Sequence, residues 1–489
     1  MSRVKTIITT DMEVDDMNSL IHLCLYLNNI DVLGIIYTSS QYHFNGDGIH
    51  TLGEITPNYR CSGPNGLVRP RAVHGPDPEA VNCKSFRPFE EGWIERLWQN
   101  EYAQAYPYLI QHDSRYPSPE YLLSITKYGN IEFEGDVRFD TEGSDMIRDI
   151  LMQDNDDVIY LQSWGGINTI VRALLSIYER YGNGPDWERI RDKVSAKTRI
   201  SGLINQVGQD NSYLDNRINE LYPDIEILRA EFGYGGYLYS KNVQQDCWHM
   251  FTGSWMRNNI QEGNGPLMES YHLMGDGKYV KGEAEIYQFG INPVLDFGKP
   301  GIPPAYFEKY EFLGEGDSNT YIDLLDFGFR GTENYGYGTL MGVISSNKHP
   351  LVKNRYSVTE NPFLQVYQQD WAGRAKWCCR SYEQANHAPE IMIEEKDIIA
   401  AAGQDVHVSA KVYDPDGDNV SVSWEFYHNF SNYQGERKID TVLSRNCNFT
   451  FTVPEDAKPG DYFTLTLRAV DDNEVPMTAI GQVIIKTGE

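Results

Sequence analysis

The stretch Thr9-Thr10-Asp11-Met12-Glu13-Val14-Asp15-Asp16 joins a mostly apolar run, Val4 to Ile8, to a segment, Met17 to Leu27, that is apolar at helical spacing. The run reads as a buried strand and the segment as a helix, so Asp11, Asp15 and Asp16, with Glu13 beside them, crowd a strand-to-helix turn. Like charges packed this closely repel one another. A hard divalent cation, Ca²⁺ or Mg²⁺, is the natural reason for an oxygen-rich cluster of this kind. Helix capping is the competing explanation. Asp15 as N-cap and Asp16 in the first turn satisfy it, but Asp11, at the strand's end, does not.

Working outward, strand and helix alternate over the first 180 residues. Asp31 to Ser39 is a second buried strand, Val158 to Gln162 a later one, and Asn168 to Tyr181 a helix after it. This alternation predicts a mostly parallel α/β sheet with right-handed crossovers and flanking helices. Residues 56 to 90, rich in Pro and Gly, read as a long loop. Thr198 to Gln206 and Ile225 to Ala230 read as further strands, and 250 to 385 as long loops gathered around a site. The pattern breaks at His387-Ala388-Pro389. Beyond it, Asp405 to Tyr413, Val420 to Tyr427, Phe449 to Val453 and Tyr462 to Val470 alternate apolar and polar residues between turn signals, which predicts an immunoglobulin-like β-sandwich. The expected division is 1–385 for the α/β domain and 386–489 for the sandwich.

The chain has 489 residues, enough for two or three domains. Its formal charge is −28, which argues against nucleic acid or an anionic membrane as partner but not against a neutral sugar. The 33 Tyr and 9 Trp can stack on sugar rings, although packing is the commoner use. No run approaches a membrane span, and Ser2 to Lys5 leads straight into the first strand without a signal peptide. Among seven cysteines, Cys61 and Cys83 bracket the Pro/Gly-rich loop and can pair, and no spacing resembles a zinc site. The sequons at Asn429 and Asn448 lean toward an exterior compartment, secreted or periplasmic with a signal peptide removed, while leaving it open.

In open α/β sheets ligands bind beyond the carboxyl ends of the strands. Asp11 lies at one such end, Ser40 and Gln41 at another, and Ser163-Trp164-Gly165-Gly166-Ile167-Asn168 at a third. The two glycines permit a close backbone approach, or serve only a tight connection.

Asp11-x-x-x-Asp15-Asp16 resembles the Asp-x-Asp-x-x-x-Asp-Asp signature of the inosine–uridine nucleoside hydrolases, and Gly165-Gly166-Ile167-Asn168-Thr169 resembles their Gly-Pro-Leu-Thr-Asn loop. The chain is more similar still to a nucleoside-hydrolase-like family that carries a C-terminal β domain and is often labelled cellulose-binding. That resemblance rests on Ile36 to His43, Asp140-Thr141-Glu142-Gly143-Ser144, Ser163 to Thr169, Gly265-Pro266-Leu267 and Gly314-Glu315-Gly316-Asp317-Ser318, with Asp414 to Asp418 and Val470-Asp471-Asp472 in the β domain.

The resemblance implies one Ca²⁺ held by Asp11, Asp16, the Asn168 carbonyl and Asp317. It implies Asp15, Gln41 (or Ser40) and Glu142 on the sugar, and Asp11 as general base toward a water that attacks the anomeric carbon with inversion. Three departures stand out. Thr9 replaces the first family Asp, Met12-Glu13 replaces Pro-Gly, and Gly316 stands where some nucleoside hydrolases carry a His. Losing that leaving-group acid points away from a purine or pyrimidine toward another glycoside.

The function expected is a calcium-dependent hydrolase of a furanosyl or related glycoside, small or polysaccharide-derived, with a homo-oligomer left open. The alternative is a carbohydrate- or cellulose-binding protein without catalysis. A phosphatase-like Asp site would want a Lys and a Ser or Thr beside the nucleophile, and none can be placed. Trp164 is a candidate for stacking on substrate, with a core role slightly favoured because it sits between a buried strand and a helix. His43 is a candidate for the mouth of the site or for a structural hydrogen bond. Asp210-Asn211 resembles an acidic site segment or a solvated turn. Asp414, Asp416 and Asp418 read as an Asx-type turn before a Ca²⁺ site. The β domain shows no clear aromatic strip: Trp424, Tyr427 and Tyr433 are no more than candidates for a sugar platform, and a packing or dimerisation module is at least as good a reading.

Overall fold

The computed structural model describes residues 3–40, 42–55, 82–203, 218–230, 234–236, 239–283, 294–295, 305–349 and 360–488. Strands β1 (Val4–Thr10), β2 (Ile30–Tyr37), β3 (Thr126–Tyr128), β4 (Ile159–Ser163), β5 (Thr198–Leu203) and β6 (Glu226–Ala230) form one six-stranded sheet in the order β3-β2-β1-β4-β5-β6. Every neighbouring pair is parallel, as the strand–helix alternation predicts. The order reverses between β1 and β4, so a crevice opens there beyond the strands' carboxyl ends. Asp11, the 38–40 segment after β2 and the 164–166 segment after β4 all lie at that edge.

Adjacent residues of β1 serve opposite faces. Ile8 packs with α1 (Val14–Leu23), whose Met17, Leu20 and Ile21 are buried with it. Ile7 packs with Ile147 of the helix Glu142–Met152 and with Ile170 and Leu174 of the helix Asn168–Tyr181. The expected helix from Met17 starts earlier, at Val14, and its last turn tightens into a 3₁₀ turn, Cys24–Tyr26. Two helical stretches lie outside the elements expected from the sequence. Trp93–Leu97 runs through a π-type turn into Ala103–His112, and Leu364–Trp377 lies inside the region read as loops. The second is buried around much of its circumference, including Gln368 and Asp370, which erases the amphipathic signal.

Strands β7 (Val294–Leu295) and β8 (Ala305–Tyr306) form a small hairpin. Nine strands follow, β9 (Glu390–Ile393) to β17 (Thr478–Thr487), in an antiparallel-rich region consistent with a β-sandwich. One sheet has the order β10-β17-β16-β13-β14, and β11-β15 and β12-β9 are separate pairs. The strand expected over Asp405 to Tyr413 divides at Ser409. Its first half, β11 (Asp405–Val408), pairs with β15 (Phe449–Thr452), and its second, β12 (Ala410–Tyr413), with β9. Trp424 is fully buried in this core, and its replacement by Ala costs about 3–5 kcal/mol. Phe329 and Phe363 pack with Tyr427 and Phe430, so one apolar cluster runs across the junction of the two regions. Among the described residues no helix is long and apolar enough to cross a membrane.

Candidate functional site

The turn after β1 is built against its own strain. Met12 is left-handed (φ 61°), which few non-glycine residues tolerate. The Thr10 hydroxyl holds it by accepting the Met12 N–H (3.1 Å) while donating to Asp16 Oδ1 (2.5 Å). Such strain is retained where a site needs it. Asp11 turns toward the 164–166 loop, where there is no space for a side chain. A Cβ on Gly165 would stand 2.7 Å from Asp11 Cγ, and one on Gly166 would stand 2.0 Å from the Ser39 carbonyl oxygen. Both glycines are therefore required by close approach rather than by turn geometry.

Asp317 reaches this turn through α1. Asp15, Asn18, Ser19 and His22 are spaced i, i+3, i+4, i+7 and make one polar stripe on a buried helix. The stripe grips the 314–318 segment. Gly316 N–H donates to Asp15 Oδ2 (3.1 Å), Asn18 Nδ2 donates to the Gly314 carbonyl (3.2 Å), and the Ser318 and Ser19 hydroxyls meet at 3.1 Å. His22 Nδ1 meets Glu315 Oε2 at 2.8 Å, and Tyr271 and Ser318 donate to the same carboxylate. The short 3₁₀ helix Gly316–Thr320 thus carries Asp317 into the acid cluster.

Asp11, Asp16 and Asp317 are each 1% exposed and Asp15 is 8% exposed. Oxygens of Asp15, Asp16 and Asp317 lie within 4.8 Å of one another. Burial, only partly offset by the nearby His43, raises Asp11 to about 6, with Glu13 adding repulsion and Ser40 and Asp16 hydrogen bonds opposing it. Burial pushes Asp15 well up, reinforced by Glu13 and Glu283. It pushes Asp16 up with Asp317 as the first repelling neighbour, and Asp317 up with Asp15 and Asp11. One oxygen each of Asp11, Asp15 and Asp317 is buried with no hydrogen-bond partner. Leaving a buried charge uncompensated costs several kcal/mol. An all-oxygen carboxylate set with open lone pairs fits a hard cation.

The remaining predicted residues divide. Asn168 is buried and opens the helix Asn168–Tyr181. Its side chain braces the mouth, donating to Ser39 Oγ (3.1 Å) and the Asn130 carbonyl (2.8 Å) and accepting from Thr38 (3.1 Å). Ser40 is buried and bonded to Asp11. Gln41, Cys61 and Asp210-Asn211 lie outside the described residues, as does therefore the Cys61–Cys83 pairing. Glu142 stands exposed on the first turn of its helix, after a Thr141/Ser144 capping box, and is not among the buried acids. Trp164 is fully buried. Its indole N–H donates to Thr320 Oγ1 (2.7 Å) and Gln162 Oε1 (3.0 Å), and its ring packs on Tyr321, so it fills the core. Trp424, Tyr427 and Tyr433 are likewise buried in or beside the sandwich core, which removes them as a sugar platform.

Two groups of residues escaped the sequence reading. Glu283 and Arg87 join Glu13 and His43 beside Asp11, and His22 with Glu315 supports the Asp317 segment. Two of these residues carried a signal: His22 as the last member of the polar stripe on α1, and Glu315 as part of the 314–318 motif, with no role attached to it.

The parallel sheet with its acid cluster at the switch point defines a nucleoside hydrolase-like α/β protein with a strand-rich C-terminal region. Residues 5–343 match the family model described as cellulose-binding Sde182, nucleoside hydrolase-like domain. Residues 405–487 match the one described as cellulose-binding protein Sde0182, C-terminal domain. The chain belongs to this family. A solved structure of a nucleoside hydrolase-related hypothetical protein from Saccharophagus degradans, described as associated with carbohydrate metabolism, superposes with a TM-score of 0.69 at 20% identity, covering 99% of this chain and 100% of that one. Domain 1 of VCBP3 from Branchiostoma floridae covers 20% of this chain and 95% of its own at 13% identity, with a TM-score of 0.13 that carries no argument. No curated protein matches.

Proposed function

We propose that the chain is a calcium-dependent glycoside hydrolase acting on the N- or O-glycosidic bond of a furanosyl or related sugar. One observation carries the reading: acids from opposite ends of the α/β region are buried together with unpartnered oxygens at the sheet's switch point. Asp11, Asp16, Asp317 and the Asn168 carbonyl are the residues that would hold the ion, with an Asp15 oxygen near those of Asp16 and Asp317. Bound Ca²⁺ would lower the pKa of a coordinated water and offset the repulsion among the carboxylates. Asp11 is the general base. Its carboxylate lies close against Gly165, is bonded to Ser40 and keeps a free oxygen to take a proton. Asp15 orients sugar hydroxyls. The surrounding negative charge stabilises positive charge developing at the anomeric carbon. Direct attack by water inverts that centre.

The test is a panel of nitrophenyl furanosides, nitrophenyl pyranosides and nucleosides, assayed with and without chelator. Turnover should vanish with chelator and fall about 10²- to 10⁴-fold in Asp11→Asn. Unchanged turnover in that variant would refute the mechanism. Sugar affinity without turnover in the unaltered chain would favour the second reading, a carbohydrate-binding protein, which the family's cellulose-binding description supports.

A further inference from the structure

Beside the aspartates lies a chemically different cluster. His43 is 1% exposed, and its Nδ1 meets the Arg87 carbonyl oxygen at 2.8 Å. A carbonyl only accepts, so Nδ1 carries a proton, and the second ring nitrogen, Nε2, holds either a second proton or, once that is displaced, a lone pair for a metal. Nε2 is buried with no hydrogen-bond partner. It points between Glu283 Oε1 at 3.5 Å and Glu13 Oε2 at 3.8 Å. Two carboxylate oxygens facing this nitrogen call for a positive charge between them, which a proton supplies in the absence of metal and a divalent ion replaces.

The rest of the cluster is held in place. Arg87 Nη2 donates to the other oxygen of Glu283 (2.5 Å) and Arg87 Nη1 stands 3.8 Å from the other oxygen of Glu13. Val14 N–H donates to Glu283 Oε1 (3.0 Å), and that oxygen keeps a second lone pair. These partners orient the three inward atoms as outer-shell groups orient metal ligands.

We infer that Glu13, His43 and Glu283 form a second cation site, distinct from the aspartate cluster, that takes an imidazole-accepting divalent metal such as Zn²⁺. The donor set is one imidazole nitrogen and two carboxylates, which Ca²⁺ does not favour and zinc does. Ligands at ~2.1 Å around a tetrahedral ion are about 3.4 Å apart, close to the 3.5 and 3.8 Å observed. The charge balance agrees. Asp11, Glu13, Asp15, Asp16, Glu283 and Asp317 place six buried carboxyl groups here. Among the described residues Arg87 is the permanent cation bonded to them. One divalent ion leaves the pocket strongly negative, and a second nearly neutralises it.

The proposal shares its neighbourhood with the proposed hydrolase site but is read separately. The full chain, saturated with Ca²⁺, is titrated with Zn²⁺ by calorimetry, with metal content measured after dialysis; His43→Gln and Glu283→Gln follow. The expected result is one tightly held zinc in the unaltered chain and at least a 10-fold loss of zinc affinity in each variant. Both variants should keep the Ca²⁺-induced rise in melting temperature, which shows that they are folded and that the aspartate site stands. Co²⁺ in place of Zn²⁺ should give visible absorption bands that His43→Gln loses. No zinc uptake by the Ca²⁺-saturated chain, or equal uptake by His43→Gln, would overturn the site. Loss of the calcium response in the unaltered chain would instead overturn the hydrolase reading.

Discussion

Two acidic segments of this chain look alike in sequence and behave in opposite ways. Asp11, Asp15 and Asp16 are buried, face one another and Asp317, and leave oxygens unpartnered. In the β domain, Asp414 Oδ1 accepts the N–H groups of Asp416 (2.9 Å) and Asp418 (3.1 Å), and Asp418 accepts from Asn473 (3.0 Å). The nearby Asp472 accepts from both Asn419 nitrogens, and these bonds hold its carboxyl below the usual carboxylate range. In the first segment burial dominates and like charges add to it. In the second, peptide and amide N–H groups meet the half-buried or exposed acids, and among these only Asp414 Oδ2 is buried without a partner. Close spacing of aspartates therefore does not make a cation site; desolvation without donors does.

Substitution at the two segments should separate them most sharply. Asp16→Ala and Asp317→Ala should each weaken calcium binding about 100-fold or more, judged against the 10- to 100-fold that outer-shell changes typically cost. Calorimetry checks this. Asp418→Asn should leave the same isotherm unchanged and shift stability by less than about 0.5 kcal/mol.

The support behind Asp317 gives the next largest effect. His22→Ala leaves the Glu315 carboxylate buried without its histidine partner, at a cost of about 3–5 kcal/mol, read from urea unfolding. A smaller cost, about 1–3 kcal/mol, is expected for Gly165→Ala, whose added methyl meets the Asp11 carboxylate. Gly417→Ala, with a left-handed backbone but open space, should cost about 1 kcal/mol and leave turnover intact.

The contrast also predicts a pH dependence. Burial raises Asp11 from 3.8 to about 6, so the folded chain holds a proton that the unfolded chain has released. Without cation, that contribution is fully present below pH 3.8 and lost as pH rises through about 6. Melting temperature in chelator should fall between pH 4 and pH 7, and added Ca²⁺ should flatten the fall. An unchanged slope would mean that calcium does not meet these carboxylates.

Much of this was legible in the sequence, and the reasons are specific. Val4 to Ile8 is a mostly apolar run and Asn168 to Tyr181 carries a helical apolar pattern, and both appear as expected. Asp11, Asp15 and Asp16 announce themselves by crowding a single turn. Leu364–Trp377 was hidden because burial on most sides leaves no stripe to read. Glu283 and Arg87 were hidden because their meeting with Glu13 and His43 is set by tertiary contacts between distant segments. Trp164 shows the converse limit. Its position beside the site is correct, but only the indole bond to Thr320 reveals that the ring is core.

The central claim is that Asp317 closes a cation site with the amino-terminal aspartates. The most direct test is the calcium-induced shift in melting temperature at pH 7 for the unaltered chain and for Asp317→Asn. The account predicts a clear rise in the first and none in the second. An equal rise in both, or no rise in either, would contradict it.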